Sequence, residues 1–371
     1  MINRATGIIT GIVSAEEHLL ELQVAVGDKT ARAYAFPQMT GSVRCGDKVL
    51  LNTTAVDLAL GSGGYHFVMA VLQGADWGKT GSQEKNSGTP PEKGKGPGHI
   101  MKMRYTPYQF RVLAVEEENS PWHAQMKKAE SLAGTPVVAG SLHSMLAPCV
   151  CGIKGYAPQL KAVYVMTDGG ALPLAFSRAV KALRKEGLLS GVVTAGHAFG
   201  GDYEAVNLYS GLLAAKEVFQ AKVIVVMMGP GIVGTGTAWG HTGLELGQII
   251  NSVFSLGGEC LVIPRLSFAE RRERHNGVSH HTLKALRNVA LAPSTVVLPE
   301  MPEEQKKRIL RALGPEDSDR HQLIWERGEA GIATAQERGL SLSYMGRGYQ
   351  EDPYFFLAAA AAGQAAAKKV H

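Results

Sequence analysis

Six consecutive apolar residues, Val223-Ile224-Val225-Val226-Met227-Met228, run into Gly229-Pro230-Gly231 with no charge between them. A half-exposed strand would alternate and an amphipathic helix would repeat every 3.6 residues, so an unbroken run of this kind suits a strand covered on both faces. Such strands belong to parallel sheets, because crossover connections lay helices on each side. Val163-Tyr164-Val165-Met166 repeats the signal, and further strands are expected at 110–115, 137–139, 191–195, 260–264, 295–298 and 322–325. Between them Ala171, Leu174, Ala175, Ala179 and Leu183, and then Ala205, Leu208, Leu212, Ala215 and Phe219, recur at helical spacing. Ser120-Pro121 reads as another helix start. The expectation is an α/β fold, a mostly parallel, doubly wound sheet with helices on both faces; a (β/α)8-like barrel is the alternative, and irregular strand and loop lengths favour the open sheet.

The first 73 residues behave differently. Short alternating runs at 7–13, 19–26, 30–36, 48–51 and 65–72 are separated by Gly27-Asp28, Gly46-Asp47 and Gly61-Ser62-Gly63-Gly64. Five strands with no helical period suggest a small all-β barrel or sandwich. Residues 74–98, dominated by Gly, Lys, Pro and Ser, read as a flexible linker, leaving 99–371 as the α/β ligand-binding domain. At 371 residues, 45% hydrophobic and 19% charged, the chain is long and apolar enough for this division.

The net charge of +5 is spread over the linker and helix faces, and without a basic, aromatic-interleaved stripe it argues against a nucleic-acid partner. No apolar stretch approaches 18 residues, the Ala-rich segment 357–367 included, so no membrane span is expected. The first twelve residues lack the pattern of a secretory signal, and four cysteines are too few for a disulfide framework, so a cytoplasmic protein with buried thiols is expected. A homo-oligomer is left open.

In a parallel α/β sheet, ligands bind where strand ends run into helix N-termini. Four such places carry unusual residues. Thr167-Asp168-Gly169-Gly170 offers a carboxylate beside glycines that let a ligand approach backbone amides, or else an Asp that caps a helix. Gly196-His197-Ala198-Phe199-Gly200-Gly201-Asp202 offers an imidazole for proton transfer or metal binding, with Asp202 as a metal ligand, an orienting group or an N-cap. Gly231, Gly234, Thr235, Gly236 and Thr237 have the composition of a phosphate cradle, without matching the dinucleotide fingerprint or the P-loop. Arg265 could clamp an anion, and Ser279 as N-cap would place His280 and His281 in a first turn, where the helix dipole favours neutral imidazole. His143 is a fifth, weaker candidate.

The blocks Thr-Asp-Gly-Gly-Ala-Leu-Pro-Leu (167–174), Gly-His-Ala-Phe-Gly-Gly-Asp (196–202), Gly-Pro-Gly-Ile-Val-Gly-Thr-Gly-Thr (229–237) and Gly-Val-Ser-His-His-Thr (277–282) together resemble a bacterial family of conserved proteins of unknown function. The resemblance extends over nearly the whole length, implies a bacterial cytoplasmic protein and supplies no catalytic roles.

The residues therefore point to an enzyme, a hydrolase or transferase by class, acting on a small anionic metabolite, phosphorylated metabolites included. In that reading His197, His281 and Asp168 do acid–base chemistry, while Gly169, Gly170, Gly231, Gly234, Thr235, Gly236, Thr237 and Arg265 bind the ligand. A divalent metal held by Asp168, His197, Asp202 and His280 is the cofactor variant. The rival class is a non-catalytic nucleotide- or metabolite-sensing protein whose β domain is an interaction module.

Overall fold

The computed structural model describes residues 2–59, 62–73 and 98–371. The expected linker at 74–98 lies outside the described residues, Gly98 excepted. The chain divides into two compact units, Met1–Pro90 with Thr106–Phe110, and Pro91–Tyr105 with Arg111–His371. The short segment at 106–110 thus joins the first unit, which the sequence did not suggest.

In the first unit, strands β1 (Arg4–Ala15), β2 (Leu20–Val26), β3 (Lys29–Ala35), β4 (Lys48–Asn52) and β5 (Tyr65–Gln73) close in the order β1-β2-β3-β5-β4. All pairs are antiparallel except β3 with β5. This is a five-stranded Greek-key barrel of the OB type, a barrel where a sandwich had been equally open. Leu22, Val24, Val49 and Leu51 alternate inward to fill it.

The second unit is built on eight strands, β6 (Pro136–Ala139), β7 (Ala162–Thr167), β8 (Gly191–Ala195), β9 (Tyr203–Ala205), β10 (Val223–Met228), β11 (Glu259–Val262), β12 (Ser294–Pro299) and β13 (His321–Glu326). They form one open, all-parallel sheet in the order β9-β8-β7-β10-β6-β11-β12-β13. The (β/α)8 alternative is thereby set aside. Every residue of β6, β7, β8 and β10 is buried, as the apolar runs required. Two sequence expectations shift: 110–115 contributes no strand to this sheet, and β9, a three-residue edge strand with no apolar run, takes a place instead.

Several helices differ from expectation too. The 171–183 helix starts only at Arg178, after a 3-10 turn, with Ser177 as its N-cap. The Ser120-Pro121 start yields a four-residue helix, His123–Met126. The Ala-rich segment is the core of the helix Pro353–Lys368, which lies against Leu146–Tyr156 so closely that a Cβ on Gly152 would sit 2.0 Å from the Ala360 carbonyl oxygen. No helix among the described residues is long and apolar enough to cross a membrane. Cys149, Cys151 and Cys260 are buried free thiols, and burial pushes Cys151 and Cys260 up to about 12.

Strand order decides where a ligand can sit. The chain leaves β6 and β7 toward the β9 edge but leaves β10 and β11 toward the β13 edge, so connections diverge at the centre of the sheet. A crevice opens at the carboxyl ends of strands where that happens.

Candidate functional site: an arginine and histidine cluster at the carboxyl edge

Arg265 follows β11 and is 2% exposed. Its Nε donates to the Tyr344 hydroxyl at 2.9 Å, its Nη1 lies 3.2 Å from His281 Nδ1, and its Nη2 is buried without a partner. Burial lowers its pKa, as expected of a cation enclosed without a bonded carboxylate. A guanidinium can only donate, so His281 Nδ1 accepts and the proton of the neutral ring is on Nε2.

Three more imidazoles surround that ring. His241 stacks on His281 with centroids 3.7 Å apart, and His280 and His275 lie 4.4 and 4.9 Å from it. The Ala238 backbone is the hydrogen-bond neighbour of His241, and among the described residues His280 Nε2 has no partner. All four rings are pushed toward the neutral form, mainly by burial: His281 to about 2 and His275 to about 3, with Arg265 and neighbouring imidazoles adding to it, and His241 and His280 in the same direction. Ser279 does cap the helix His280–Lys284, accepting from His281 N–H at 3.2 Å, but desolvation rather than the dipole of this five-residue helix dominates.

The glycine loop closes on itself through its threonines. Thr235 N–H donates to the Gly240 carbonyl, Thr242 N–H donates to that of Val233, and the Thr235 and Thr237 hydroxyls bond to each other and to Gly240. The result is a hairpin whose threonines are spent on holding it shut. Its work is to carry His241 onto His281, with Gly234 against the His281 ring: a Cβ there would meet His281 Cε1 at 3.5 Å. Gly231 and Gly236 supply the positive φ angles, 133° and 81°, that the bend requires.

His197 and Asp168 meet each other but not this cluster. Asp168 accepts from Ala171 N–H at 2.9 Å and from His197 N–H at 2.8 Å, and so ties the loops after β7 and β8 together. His197 Nδ1 accepts from Met103 N–H at 3.0 Å, and its Nε2 stands 3.3 Å from Arg104 Nη2. Asp202 points elsewhere, bonded at 2.7 Å to both Arg184 and Val192 N–H. The metal set Asp168, His197, Asp202 and His280 is therefore not brought together. β8 and β11 are four strand steps apart, about 19 Å at about 4.8 Å per step, which is the physical reason. Gly169 serves packing, since a Cβ would sit 2.3 Å from Met228 Cε, while Gly170, at φ 147°, faces open space.

Among the described residues, His241, His280 and His281 are the group whose ligand atoms lie close enough to share a metal, within 4.8 Å of one another. The donor chemistry opposes it. Nε2 of His281 carries a proton, a guanidinium adjoins the ring, and no carboxylate is bonded there to balance a dication. A small anion fits those terms.

Sequence reasoning passed over Tyr344, Ser177 and Glu245, whose carboxyl is pushed up by burial and stands beside Thr167 and Asp168. A tyrosine nearly eighty residues from Arg265 carries no local signal of its role.

A family model described as protein of unknown function (DUF3866) matches residues 32–363, beginning inside β3 of the barrel. No curated protein matches the chain.

Proposed function

The chain belongs to the DUF3866 family of proteins of unknown function, and from that premise we propose that it is an enzyme acting on a small anionic metabolite at the Arg265 cluster. One observation carries the reading. Among the described residues, buried polar side-chain atoms without partners stand where the central strands end: Ser141 Oγ after β6, Arg265 Nη2 after β11, and His280 Nε2 beyond it. Proteins satisfy nine in ten such groups, so a cluster of exceptions around one buried cation marks the outline of a ligand. Arg265 Nη2 and His281 Nε2–H would donate to the anion, and His241 and His280, held toward the neutral form by burial, would move protons. A phosphate or a carboxylate satisfies these donors equally.

The burial of His241 and His281, 7% and 6% exposed, also supports a second reading, a sensing protein that retains its ligand without turning it over.

The test is thermal unfolding with inorganic phosphate, acetate, Zn²⁺ or Mn²⁺, alongside mass spectrometry of metals and small molecules carried through gentle purification. Phosphate or acetate should stabilise by about 2.7 kcal/mol at a hundredfold excess over Kd. Arg265→Met should remove the effect. Gly234→Val should do likewise, because the backbone there does not need positive φ and the new side chain covers His281. Stabilisation by metal alone, retained in Arg265→Met, overturns the anion reading, and binding without turnover supports the sensor.

A further inference from the structure

Another part of the same edge holds a nucleophile-and-base geometry that the anion site does not use. His143 lies in the turn after β6, and Ser177 is the N-cap of the helix Arg178–Lys185. Ser177 Oγ is 2.6 Å from His143 Nε2, and His143 Nδ1 is 3.3 Å from the hydroxyl of Tyr164, on β7. The proton positions follow from the partners. Tyr164 donates its hydroxyl proton to the Met227 and Met228 carbonyls at 3.0 and 3.2 Å, so its oxygen accepts from His143 Nδ1–H. Nε2 then offers a lone pair, to which Ser177 donates. This is the order of bonds that a serine nucleophile, its general base and an orienting third group require. Burial lowers His143 to about 4, so it is neutral and able to accept a proton at pH 7.

The surroundings suit acyl chemistry. Val180 N–H donates to Ser177 Oγ at 2.9 Å and fixes the oxygen. The amides of Arg178 and Ala179, in the first turn, have no acceptor within the helix and can stabilise a developing oxyanion. His143, Phe176, Ala179, Ile232 and Leu340 line a cleft of about 650 Å³, with Arg178 at its wall; Ser177, 2% exposed, is not itself part of the lining but stands between Phe176 and Arg178, which are.

We propose that Ser177 and His143 are a nucleophile–base pair that cleaves a small carboxylic ester or thioester with an apolar acyl group bound in this cleft, Tyr164 being a positioning residue. Ser177 Oγ bonds to the acyl carbon as its proton passes to His143 Nε2. The carbonyl π pair moves to oxygen, then returns as the bond to the leaving oxygen or sulfur breaks. His143 gives its proton to that leaving group. Water, deprotonated by His143, repeats the sequence on the acyl-serine, releasing the carboxylic acid and restoring the Ser177 hydroxyl.

The experiment treats the full-length protein with a fluorophosphonate and, separately, with p-nitrophenyl acetate and butyrate, and maps the modified peptide. One adduct, on Ser177, is expected, absent in Ser177→Ala and formed at least about 100-fold more slowly in His143→Gln. Tyr164→Phe should lower kcat for the esters while leaving KM unchanged, the signature of a lost orienting contact. Ser177→Ala also loses a helix cap, so Ser177→Cys is the second variant, and its introduced thiol should react with iodoacetamide at least about tenfold faster than the buried native cysteines. A folded wild type with no adduct on Ser177, or an introduced thiol as inert as Cys149, overturns the proposal.

Discussion

Around His197 the polar groups are bonded to one another, whereas around Arg265 several buried ones have no partner, although both clusters stand at the carboxyl edge of one sheet. Lys102, 1% exposed, meets the carbonyls of Gly196 and Ala198 at 2.5 and 2.9 Å and Glu204 at 3.1 Å. Glu204 in turn accepts from the Thr194 hydroxyl and from Gly200 N–H, each at 2.7 Å, and both Asp168 oxygens are taken by backbone amides. Charge there is neutralised within the fold. Among the described residues Arg265 is buried as deeply with no bonded carboxylate, and its Nη2 and the nearby His280 Nε2 have no partner. The first arrangement stabilises loops and leaves no valence for a substrate; the second costs stability that a bound anion would return.

The sharpest break of that contrast replaces the two buried cations in turn. Lys102→Met strands Glu204 and should cost about 3–5 kcal/mol in denaturant unfolding. Arg265→Met removes a cation that has no bonded carboxylate, so its stability should stay within about 1 kcal/mol of wild type while anion-dependent stabilisation disappears. Equal losses in the two variants would erase the distinction between a structural and a ligand-seeking cluster.

Acid sharpens it next. Histidines whose folded pKa lies below the unfolded value of about 6.5 bind protons more readily when unfolded, so their stabilisation is full above that pH and drains away as pH falls toward the folded value. His143, at about 4, spans most of that window alone, and His281 and His275, at about 2 and 3, extend it downward. Each contributes a slope that approaches about 1.4 kcal/mol per pH unit well below 6.5, or about 2 kcal/mol between pH 6.5 and 4.5. Unfolding followed across that range should show the loss, and saturating phosphate should flatten it by favouring charged imidazole. A profile flat without phosphate would mean that these rings take up protons as readily folded as unfolded.

Asp168→Asn probes the saturated side. One oxygen survives to accept a backbone amide, but the new NH₂ faces the other N–H, donor against donor, for a loss of about 1–3 kcal/mol. Anion binding at Arg265 should be unchanged, and a drop in phosphate affinity would join the two clusters into one site.

How much of this was legible in the sequence depends on the range of the signal. Unbroken apolar runs such as Val223 to Met228 fix a strand by their own hydrophobicity, so the parallel sheet and most of its strands could be read directly, as could the five barrel strands from their alternation. β9 was hidden because a three-residue edge strand needs no apolar run. Arg265, Gly234 and His281 could be grouped from the sequence because each follows a strand, and the fold brings them side by side. His197 was grouped with them because strand order, which separates β8 from β11, leaves no trace in local composition. Ser177 escaped notice because Ala171, Leu174 and Ala175 keep helical spacing through a segment where the helix has not yet begun.

The smallest effect falls on Asp202, and it is informative for that reason. One oxygen, Oδ2, accepts both Arg184 and Val192 N–H, so the carbonyl of an asparagine can keep both bonds and only the charge is lost. The pair is about two-fifths exposed on both sides, where solvent screens the attraction, and Asp202→Asn should cost no more than about 1 kcal/mol. Metal content after purification and phosphate affinity should both match wild type. Were Asp202 a ligand beside His197 and His280, the same substitution would remove a charged donor and weaken metal binding by well over tenfold. Metal analysis of this one variant therefore separates a surface ion pair that ties β8 to its neighbouring helix from a metal centre assembled across the sheet.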